Sequence, residues 1–440
     1  MESIRCVLKE GIADNSPIIQ KAIDELASAG GGRVCLPSGT YSSGTIVLKD
    51  NIELFLEKGC VLKAGDDFSL FSKERMLKSL DVPSFLNCDY DGKPKMFFLY
   101  AMHAKNIRIS GDGVIDGNEE IFYGKQNRYL IDGLFYPRMP LIFMEDVENL
   151  VIENVLLRRS AFWTVHLVGC RYVFIDHVSI RNNMRLANCD GIDPDHCQNV
   201  EIKDCSIQCA DDAIVFKNTS ANRKYGDLGK VHVSHCDLMS TSGAIKFGSE
   251  SCGRFHDIHV ENINIHDSNR GISFQLRDDG EIDHCLFENI RISTRAFAKP
   301  YYWGYGEPVS ITALRRSGEV TKQKISDITF SNLMMDSENG IVVYGEIPDA
   351  IENIRFSNVS LFLHRKSKWT IDKKDLRPCE GMMFIEDSKP NVLYLAGCRK
   401  ISLSNFMYSV DDEYRNLMGE EIFVSEAVSD VEVNGKDIGR

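Results

Sequence analysis

Between residues 149 and 410, one short pattern of apolar and polar positions returns along the chain. An apolar residue, a gap and a second apolar residue are followed by two polar residues and another apolar one, as in NLVIENVLL (149–157) and NVEIKDCSI (199–207). Each copy alternates with period two and is rich in β-branched residues, which is typical of a short strand. Nine successive copies have a polar pivot: Asn154, His177, Asp204, His235, Asn262, Asn289, Asn332, Asn358 and Asn405.

The spacing of these pivots indicates the fold class. The intervals are 23, 27, 31, 27, 27, 43, 26 and 47 residues, and most of them lie in the range of solenoid repeats. One coil of this size cannot bury its own apolar face, so successive coils must stack. Because no helix signal separates the strands, each should pair in parallel with its equivalent in the next coil. The sequence therefore predicts an all-β, right-handed, single-stranded parallel β-helix whose Asn pivots occupy tight turns and are not ligands.

The ends of the chain differ from the repeats. Residues 16–31 have apolar positions at helical spacing and end in a run of glycines, which favours an amphipathic helix capping the stack. No linker is evident, so we predict one domain over residues 1–440. Its predicted parts are an N-terminal cap at about 11–45, coils at 46–410 and a C-terminal coil or cap at 411–440.

Three segments interrupt the repeats. The 43-residue interval contains the aromatic segment 296–308, and the 47-residue interval contains the charged segment 363–378. Long loops on a rigid scaffold often carry function, and rings such as Trp303 could stack on sugars or simply pack in a lid. Residues 119–140 are interpreted as an irregular insertion.

Composition narrows the classes of partner. The chain has 440 residues and a formal net charge of -13, with no concentrated basic stretch, which argues against nucleic acid as a partner. The 14 cysteines lack zinc-site spacing and fit reduced core thiols, so we expect neither a metal nor another cofactor. No run of ~18 apolar residues predicts a membrane span. The segment MESIRCVLKEGIADN lacks a signal-peptide hydrophobic region, so we expect a cytoplasmic protein, or a secreted one if a leader was removed.

A cluster of carboxylates is the densest chemical signal. Asp190 lies in the stretch NCDGIDPDHC, and Asp211 and Asp212 follow about one coil later. Equivalent positions of stacked coils lie ~4.8 Å apart, so these three side chains can converge. Hydrolysis of a glycosidic bond needs two carboxyl groups, and crowding of like charges raises the pKa of one of them. We predict that all three are catalytic; the alternatives are solvated turn residues and a calcium site.

At these residues the chain resembles glycoside hydrolase family 28, the polygalacturonase and rhamnogalacturonase group of pectin-lyase-like β-helices. The resemblance covers about residues 11–295. Asn188-Cys189-Asp190 matches the Asn-Thr-Asp motif of the family, and Asp211-Asp212 matches its Asp-Asp motif. It implies an inverting hydrolase in which Asp211 is the general acid, while Asp190 and Asp212 activate water. Inverting pairs are typically separated by roughly 6.5–9.5 Å.

Two further motifs of that family are altered in this chain. The Gly-His-Gly motif aligns with Thr241-Ser242-Gly243, which lacks the histidine, although His166 and His196 could give local support. The Arg-x-Lys motif, which binds the uronate carboxylate in polygalacturonases, aligns with Ser273-Phe274-Gln275. These changes argue against plain polygalacturonic acid and favour a neutral or mixed glycan such as rhamnose-containing pectin fragments. The predicted substrate-binding residues are Asn188, Lys217, Lys246, Gln275, Arg270 and Trp303.

The expected activity is therefore that of a polygalacturonase-like glycosidase. Its partner would be a pectic or other plant oligosaccharide or polysaccharide. Two alternatives stay open: a polysaccharide lyase or epimerase on the same scaffold, using Ca²⁺ at the Asp cluster, and a non-catalytic glycan-binding β-helix.

Overall fold

The computed structural model describes residues 2–71, 96–124, 126–131, 138–298, 301–318, 320 and 322–439. The chain divides into two compact units, which we call unit 1 (residues 1–211 and 224–226) and unit 2 (residues 212–223 and 227–440). Each unit consists of stacked coils of a parallel β-helix. The prediction of a single domain over 1–440 stays a prediction.

Unit 1 contains one α-helix and sixteen strands among its described residues. The helix α1 spans Ser16–Ser28. The strands are β1 (Ser3–Arg5), β2 (Gly32–Leu36), β3 (Gly39–Ser43), β4 (Ile46–Val47), β5 (Ile52–Leu56), β6 (Cys60–Ala64), β7 (Leu99–Gly111), β8 (Val114–Asp116), β9 (Ile142–Glu153), β10 (Leu156–Arg158), β11 (Val165–Val168), β12 (Arg171–Asp176), β13 (Ser179–Arg181), β14 (Ile192–Asp195), β15 (Gln198–Lys203) and β16 (Ser206–Cys209).

Unit 2 contains nineteen strands and the short helix α2 (Asp412–Arg415) among its described residues. The strands are β17 (Ile214–Asn218), β18 (Leu228–Ser234), β19 (Asp237–Ser240), β20 (Gly243–Ser251), β21 (Gly253–Glu261), β22 (Asn264–Ser268), β23 (Arg270–Leu276), β24 (Gly280–Thr294), β25 (Val309–Ala313), β26 (Gln323–Ser337), β27 (Ile341–Gly345), β28 (Ile351–Leu363), β29 (Lys374–Asp375), β30 (Phe384–Ile385), β31 (Leu393–Ala396), β32 (Cys398–Val410), β33 (Ile422–Val424), β34 (Ser429–Val433) and β35 (Lys436–Asp437).

The N-terminal helix forms where the periodicity predicted it. Ile19, Ile23 and Leu26 are buried on one face of α1, and the helix ends where the Gly31 amide donates to the Leu26 carbonyl at 2.8 Å. The first coil begins earlier than the predicted cap boundary at residue 45. Strand β2 already pairs in parallel with β5, and β3 with β6, because the alternating sequence GRVCL buries every second side chain.

The turn function of the polar pivots is confirmed. All nine residues, from Asn154 to Asn405, have a φ angle between +50° and +59°. In unit 2 the last pivots also form a ladder, in which the Asn332 Nδ2 donates to Asn289 Oδ1 at 3.0 Å and Asn358 Nδ2 donates to Asn332 Oδ1 at 3.2 Å. Asn405 continues it by donating to Asn358 at 3.0 Å. Asparagine suits this position because its short amide tolerates the left-handed conformation and bridges adjacent coils.

Aromatic stacks fill the interior between the coils. In unit 2 the Phe247 and Phe274 rings lie 4.4 Å apart and nearly parallel, and Phe330 stacks on Phe356 at 4.6 Å. Because inward and outward positions alternate along each strand, this core register also fixes which residues face outward. Among the described residues, no helix is both long and apolar enough to cross a membrane.

Candidate active site

Asp190 is held by the coil that precedes it in unit 1. The residue is buried, and its carbonyl oxygen accepts hydrogen bonds from the Thr164 amide at 2.9 Å and from Thr164 Oγ1 at 2.6 Å. Asn182 Nδ2 in turn donates to Thr164 Oγ1 at 2.7 Å. The backbone that carries the Asp190 carboxylate is therefore fixed at the start of β14.

Asp211 is oriented by a chain of contacts through Asn188. The Asn188 amide donates to Asp211 Oδ2 at 3.2 Å, and its Nδ2 lies 3.5 Å from the same oxygen. Arg138 Nη2 donates to Asn188 Oδ1 at 2.7 Å, while the buried Arg138 guanidinium lies 5.1 Å from the centre of the Phe162 ring. Asn188, predicted to bind substrate, thus holds Asp211 in the described structure.

Arg138 was missed by the sequence analysis. It lies in residues 119–140, which were interpreted as an irregular insertion, and its only signal is a lone arginine in the apolar stretch RMPLIF. Such a cation is retained in an apolar environment only if its donors are satisfied. Here the Ala161 and Ala187 carbonyls accept from Nη1.

Carboxylate oxygens of Asp190 and Asp211 lie within 4.8 Å of each other. This separation is shorter than the roughly 6.5–9.5 Å expected for an inverting pair. Two acceptors no more than 4.8 Å apart can both accept from a single water at an ordinary hydrogen-bond length of ~2.8 Å. Carboxylate oxygens are also the donors that Ca²⁺ prefers, so the expected absence of a metal stays a prediction.

Asp212, the next residue in the chain, has a different electrostatic environment. It is buried in unit 2, where Lys246 Nζ donates to its Oδ2 at 2.6 Å and the Gly243 amide donates to its Oδ1 at 2.9 Å. Burial alone raises the pKa of Asp212. The charges of Lys246 and Lys217 and the hydrogen bonds from Lys246 and Ser242 lower this pKa by more than burial raises it, so it lies below its usual value. The side chain is therefore ionised at neutral pH.

The sequence pattern of glycosyl hydrolases family 28 matches residues 83–375. The chain belongs to this family. It is 27% identical to a probable polygalacturonase of Vitis vinifera over 82% of this chain and 74% of the relative. It is 23% identical to an endo-polygalacturonase of Pectobacterium parmentieri over 84% of this chain and 89% of the relative. Membership in family 28 confirms the predicted enzyme class, a glycosidase.

Solved structures of the family confirm the fold. The family 28 exopolygalacturonase of Yersinia enterocolitica aligns with a TM-score of 0.69 at 18% identity, over 99% of this chain and 79% of that chain. The exopolygalacturonase of Thermotoga maritima aligns with a TM-score of 0.68 at 19% identity, over 99% of this chain and 92% of that chain. The right-handed parallel β-helix of the family 28 enzymes is therefore also the fold of this chain.

The two lysines predicted to bind substrate act on Asp212 in the described structure. Lys217 on β17 is buried and contributes a charge that lowers the pKa of Asp212. Lys246 on β20 lies opposite Ser273 in the register of β20 and β23, so this family 28 chain has a lysine one coil before the altered Arg-x-Lys position. The Lys246 ammonium is directed to a carboxylate of the protein.

Arg270, predicted to bind substrate, contacts protein groups in the described structure. Its guanidinium is buried, with Nε 3.3 Å from Glu307 Oε2 and Nη2 donating to the Asp375 carbonyl at 2.7 Å. A cation satisfied in this way holds two loop segments of the enzyme together. The pattern RGISFQL gives no indication of this contact, because Asp375 lies more than 100 residues further along the chain.

Gln275 and Trp303 differ in accessibility. Gln275 is buried on β23, and its Oε1 has no hydrogen-bond partner within the described residues. Trp303 is 40% exposed, and its ring centre lies 5.3 Å from the Arg377 guanidinium. The Trp303 ring is therefore open to solvent, whereas Gln275 lies beneath other groups; substrate binding by either residue stays a prediction.

The two histidines considered as local support are also buried. The His166 ring packs edge-on against Trp163 at 4.7 Å and against Phe143 at 5.2 Å. His196 Nδ1 bonds to the Gly226 carbonyl. Neither histidine takes the position of the missing family histidine, which aligns with Ser242. Next to that position, the Gly243 amide donates to Asp212 Oδ1.

Proposed function

We propose that this family 28 glycosidase hydrolyses pectin-like plant oligosaccharides by inversion, with Asp211 as general acid and with Asp190 and Asp212 activating water. The observation that carries the proposal is the contrast between two consecutive carboxylates. Asp211 is contacted by the neutral Asn188, whereas Asp212 is bound to the cationic Lys246. Environments that separate the pKa values of two carboxylates divide acid and base functions between them.

The substrate class is supported by the relatives and refined by the altered positions. The grapevine and Pectobacterium relatives are named polygalacturonases. In this chain the positions of the Arg-x-Lys motif are the neutral Ser273 and Gln275, and Lys246, opposite Ser273, is already paired with Asp212. These buried positions supply no cation to a uronate, so we propose that the sugar nearest to Lys246 is neutral, as in mixed pectic fragments. The lyase, epimerase and non-catalytic alternatives are not favoured, because the family consists of hydrolases.

The inversion in this proposal rests on the motif resemblance and not on the distance between carboxylates. A nucleophilic mechanism would place Asp190 or Asp212 against the anomeric carbon, whereas inversion needs a water between carboxylate and sugar. The proposal therefore places the attacking water between the sugar and the carboxylates of Asp190 and Asp212.

Replacement of the proposed acid tests the function directly. Asp211→Asn removes the transferable proton, so kcat/KM on a cleaved pectic oligosaccharide should fall by about three orders of magnitude or more. The midpoint of thermal unfolding should change little, because Asn keeps the oxygen that accepts from Asn188. The matched control is Asp204→Asn, the same change at an exposed turn with φ +51°. Near-normal activity of Asp211→Asn would refute the assignment.

A further inference from the structure

Lys246 lies on an outward face of the β-helix, and the equivalent position of the next coil is already covered by other parts of the protein. Strand register places six outward positions of unit 2 in one row, coil after coil: Val215, Lys246, Ser273, Ser310, Val342 and Tyr394. The Lys246 side chain is 11% exposed, but Ser273 is 1% exposed and the three later positions are also buried. Val215, on the other side of Lys246, is fully buried as well, so Lys246 is the one accessible position of these six.

A short hairpin supplies part of this cover. Strands β29 and β30 pair antiparallel, with Lys374 opposite Ile385. Ile385 packs against Val342 and Tyr394, and Lys374 Nζ lies 5.3 Å from the centre of the Tyr394 ring. The hairpin therefore lies over outward positions that would otherwise form the floor of an open groove.

Two arginines fasten the hairpin segment to both ends of β23. Arg270, the first residue of β23, donates to the Asp375 carbonyl at 2.7 Å. Arg277, directly after the strand, donates to the Leu376 carbonyl at 2.9 Å and to the Pro378 carbonyl at 2.7 Å. Both ends of β23 are thus tied to the same loop, and Ser273 lies between the two attachments.

Arg277 is an unusual attachment because the oxygens that accept its hydrogen bonds are neutral. Besides the two loop carbonyls, it donates to the Leu276 and Thr312 carbonyls and to Thr312 Oγ1. Burial lowers the pKa of this guanidinium to about 9. Burying a cation is costly unless its donors are satisfied, so this site depends on the loop being closed over β23.

Unit 1 has a cover of its own over the equivalent outward row. Tyr100, Phe143, His166 and Asp193 follow one another in register on β7, β9, β11 and β14, and all four are buried. Trp163 lies edge-on over His166 in the same aromatic cluster. The coils of unit 1 that precede Asp193 therefore offer no open groove along their outward row either.

We infer that the enzyme acts on chain ends or on short oligosaccharides and releases terminal sugar units, and does not cut long chains internally. The inference rests on the proposed function. Equivalent positions of adjacent coils are ~4.8 Å apart, so a glycan that reaches Lys246 meets the covered Ser273 within the next coil. A long chain cannot continue along either covered row, and Arg270 and Arg277 determine this mode of cleavage by holding the hairpin in place.

The product pattern of the wild-type enzyme tests this inference. A pectic substrate that the enzyme cleaves is supplied as a ladder of chain lengths, and early products are resolved by mass. We expect terminal units alone from the first time point, with an initial rate per chain end that is independent of chain length. Oligomers from internal cleavage at early times would overturn the inference while leaving hydrolysis intact. Absence of any cleavage would instead refute the proposed function and, with it, the inference.

Deletion of the β29–β30 hairpin tests whether the hairpin is the cause of terminal cleavage. The Ser388 amide donates to the Asp372 carbonyl at 2.9 Å, so replacing residues 373–387 with Gly-Gly joins two positions that already lie side by side. The deletion should produce internal cleavage and raise the rate on long chains relative to a trisaccharide at least tenfold. A folded deletion variant that still releases only terminal units would refute the role of the hairpin.

A matched pair of arginine variants tests the role of the hairpin without deleting it. Arg277→Met should shift the products in the same direction, because it removes one attachment. Arg315→Met should not, since Arg315 is an exposed partner of Glu346 on the surface. Equal product patterns for both variants and the wild type would contradict the attachment argument.

Discussion

At the scale of single residues, the site depends on which neighbour each carboxylate has. Asp212 is buried and yet ionised because Lys246 and Lys217 offset the cost of burial. Asp211, one residue earlier, is contacted by the amide of Asn188. Two consecutive carboxylates therefore have different contacts, with the Lys246 ammonium at Asp212 and the Asn188 amide at Asp211.

Removing the Lys246 charge should change the pH dependence of the reaction. A base is active when ionised, so the acid limb of the kcat/KM profile follows the pKa of Asp212, which Lys246 lowers. In Lys246→Met this pKa rises, and the acid limb should move to higher pH. Lys246→Arg should keep the wild-type limb, and Lys324→Met, which removes a lysine paired with Glu352, should not move it. An unshifted profile in Lys246→Met would exclude Asp212 as the group that sets this limb.

Sequence motifs identified the carboxylates but not the residues that hold them. Asp190, Asp211 and Asn188 lie within one short stretch, so local pattern was sufficient to find them. Arg138 and Arg270 act through contacts with segments far away in the chain. Their partners depend on how loops return to the coils, which is why local pattern does not indicate the contacts of Arg270.

At the scale of elements, the polar pivots fix the coils. Each pivot adopts a left-handed conformation, and the later ones are also joined by side-chain hydrogen bonds. This part of the fold was predictable, because a polar residue, most often asparagine, recurs at the same place in a period-two pattern. The hairpin β29–β30 was not, since two strands of two residues each leave no periodicity.

At Asn332, two substitutions can separate what the backbone conformation and what the ladder hydrogen bonds contribute to the free energy of unfolding. Asn332→Ala loses both ladder bonds and places alanine at φ +57°, so the free energy of unfolding should fall by about 2 kcal/mol. Asn332→Gly loses the bonds but accepts this φ angle and should cost about 1 kcal/mol. Denaturant unfolding measures both. If the two variants were as stable as the wild type, the ladder would have no measurable effect on stability.

At the scale of the whole molecule, charge and covered surfaces restrict the substrate. The chain has a net charge of -13, and Lys246 and Arg270 are engaged with protein groups. Under the proposed function, extended polyanions are therefore a poor match for the chain, in agreement with the neutral Ser273 and Gln275. The covered outward rows in each unit favour short glycans or chain ends over long polymers.

The most direct test of the central claim is cleavage in water enriched with ¹⁸O, with products read by mass and by the configuration of the new anomeric centre. The account predicts one ¹⁸O atom per broken bond, on the new reducing end, with inverted configuration, and loss of this product in Asp211→Asn. Products that carry a double bond and no ¹⁸O, or full ¹⁸O incorporation by Asp211→Asn, would contradict it.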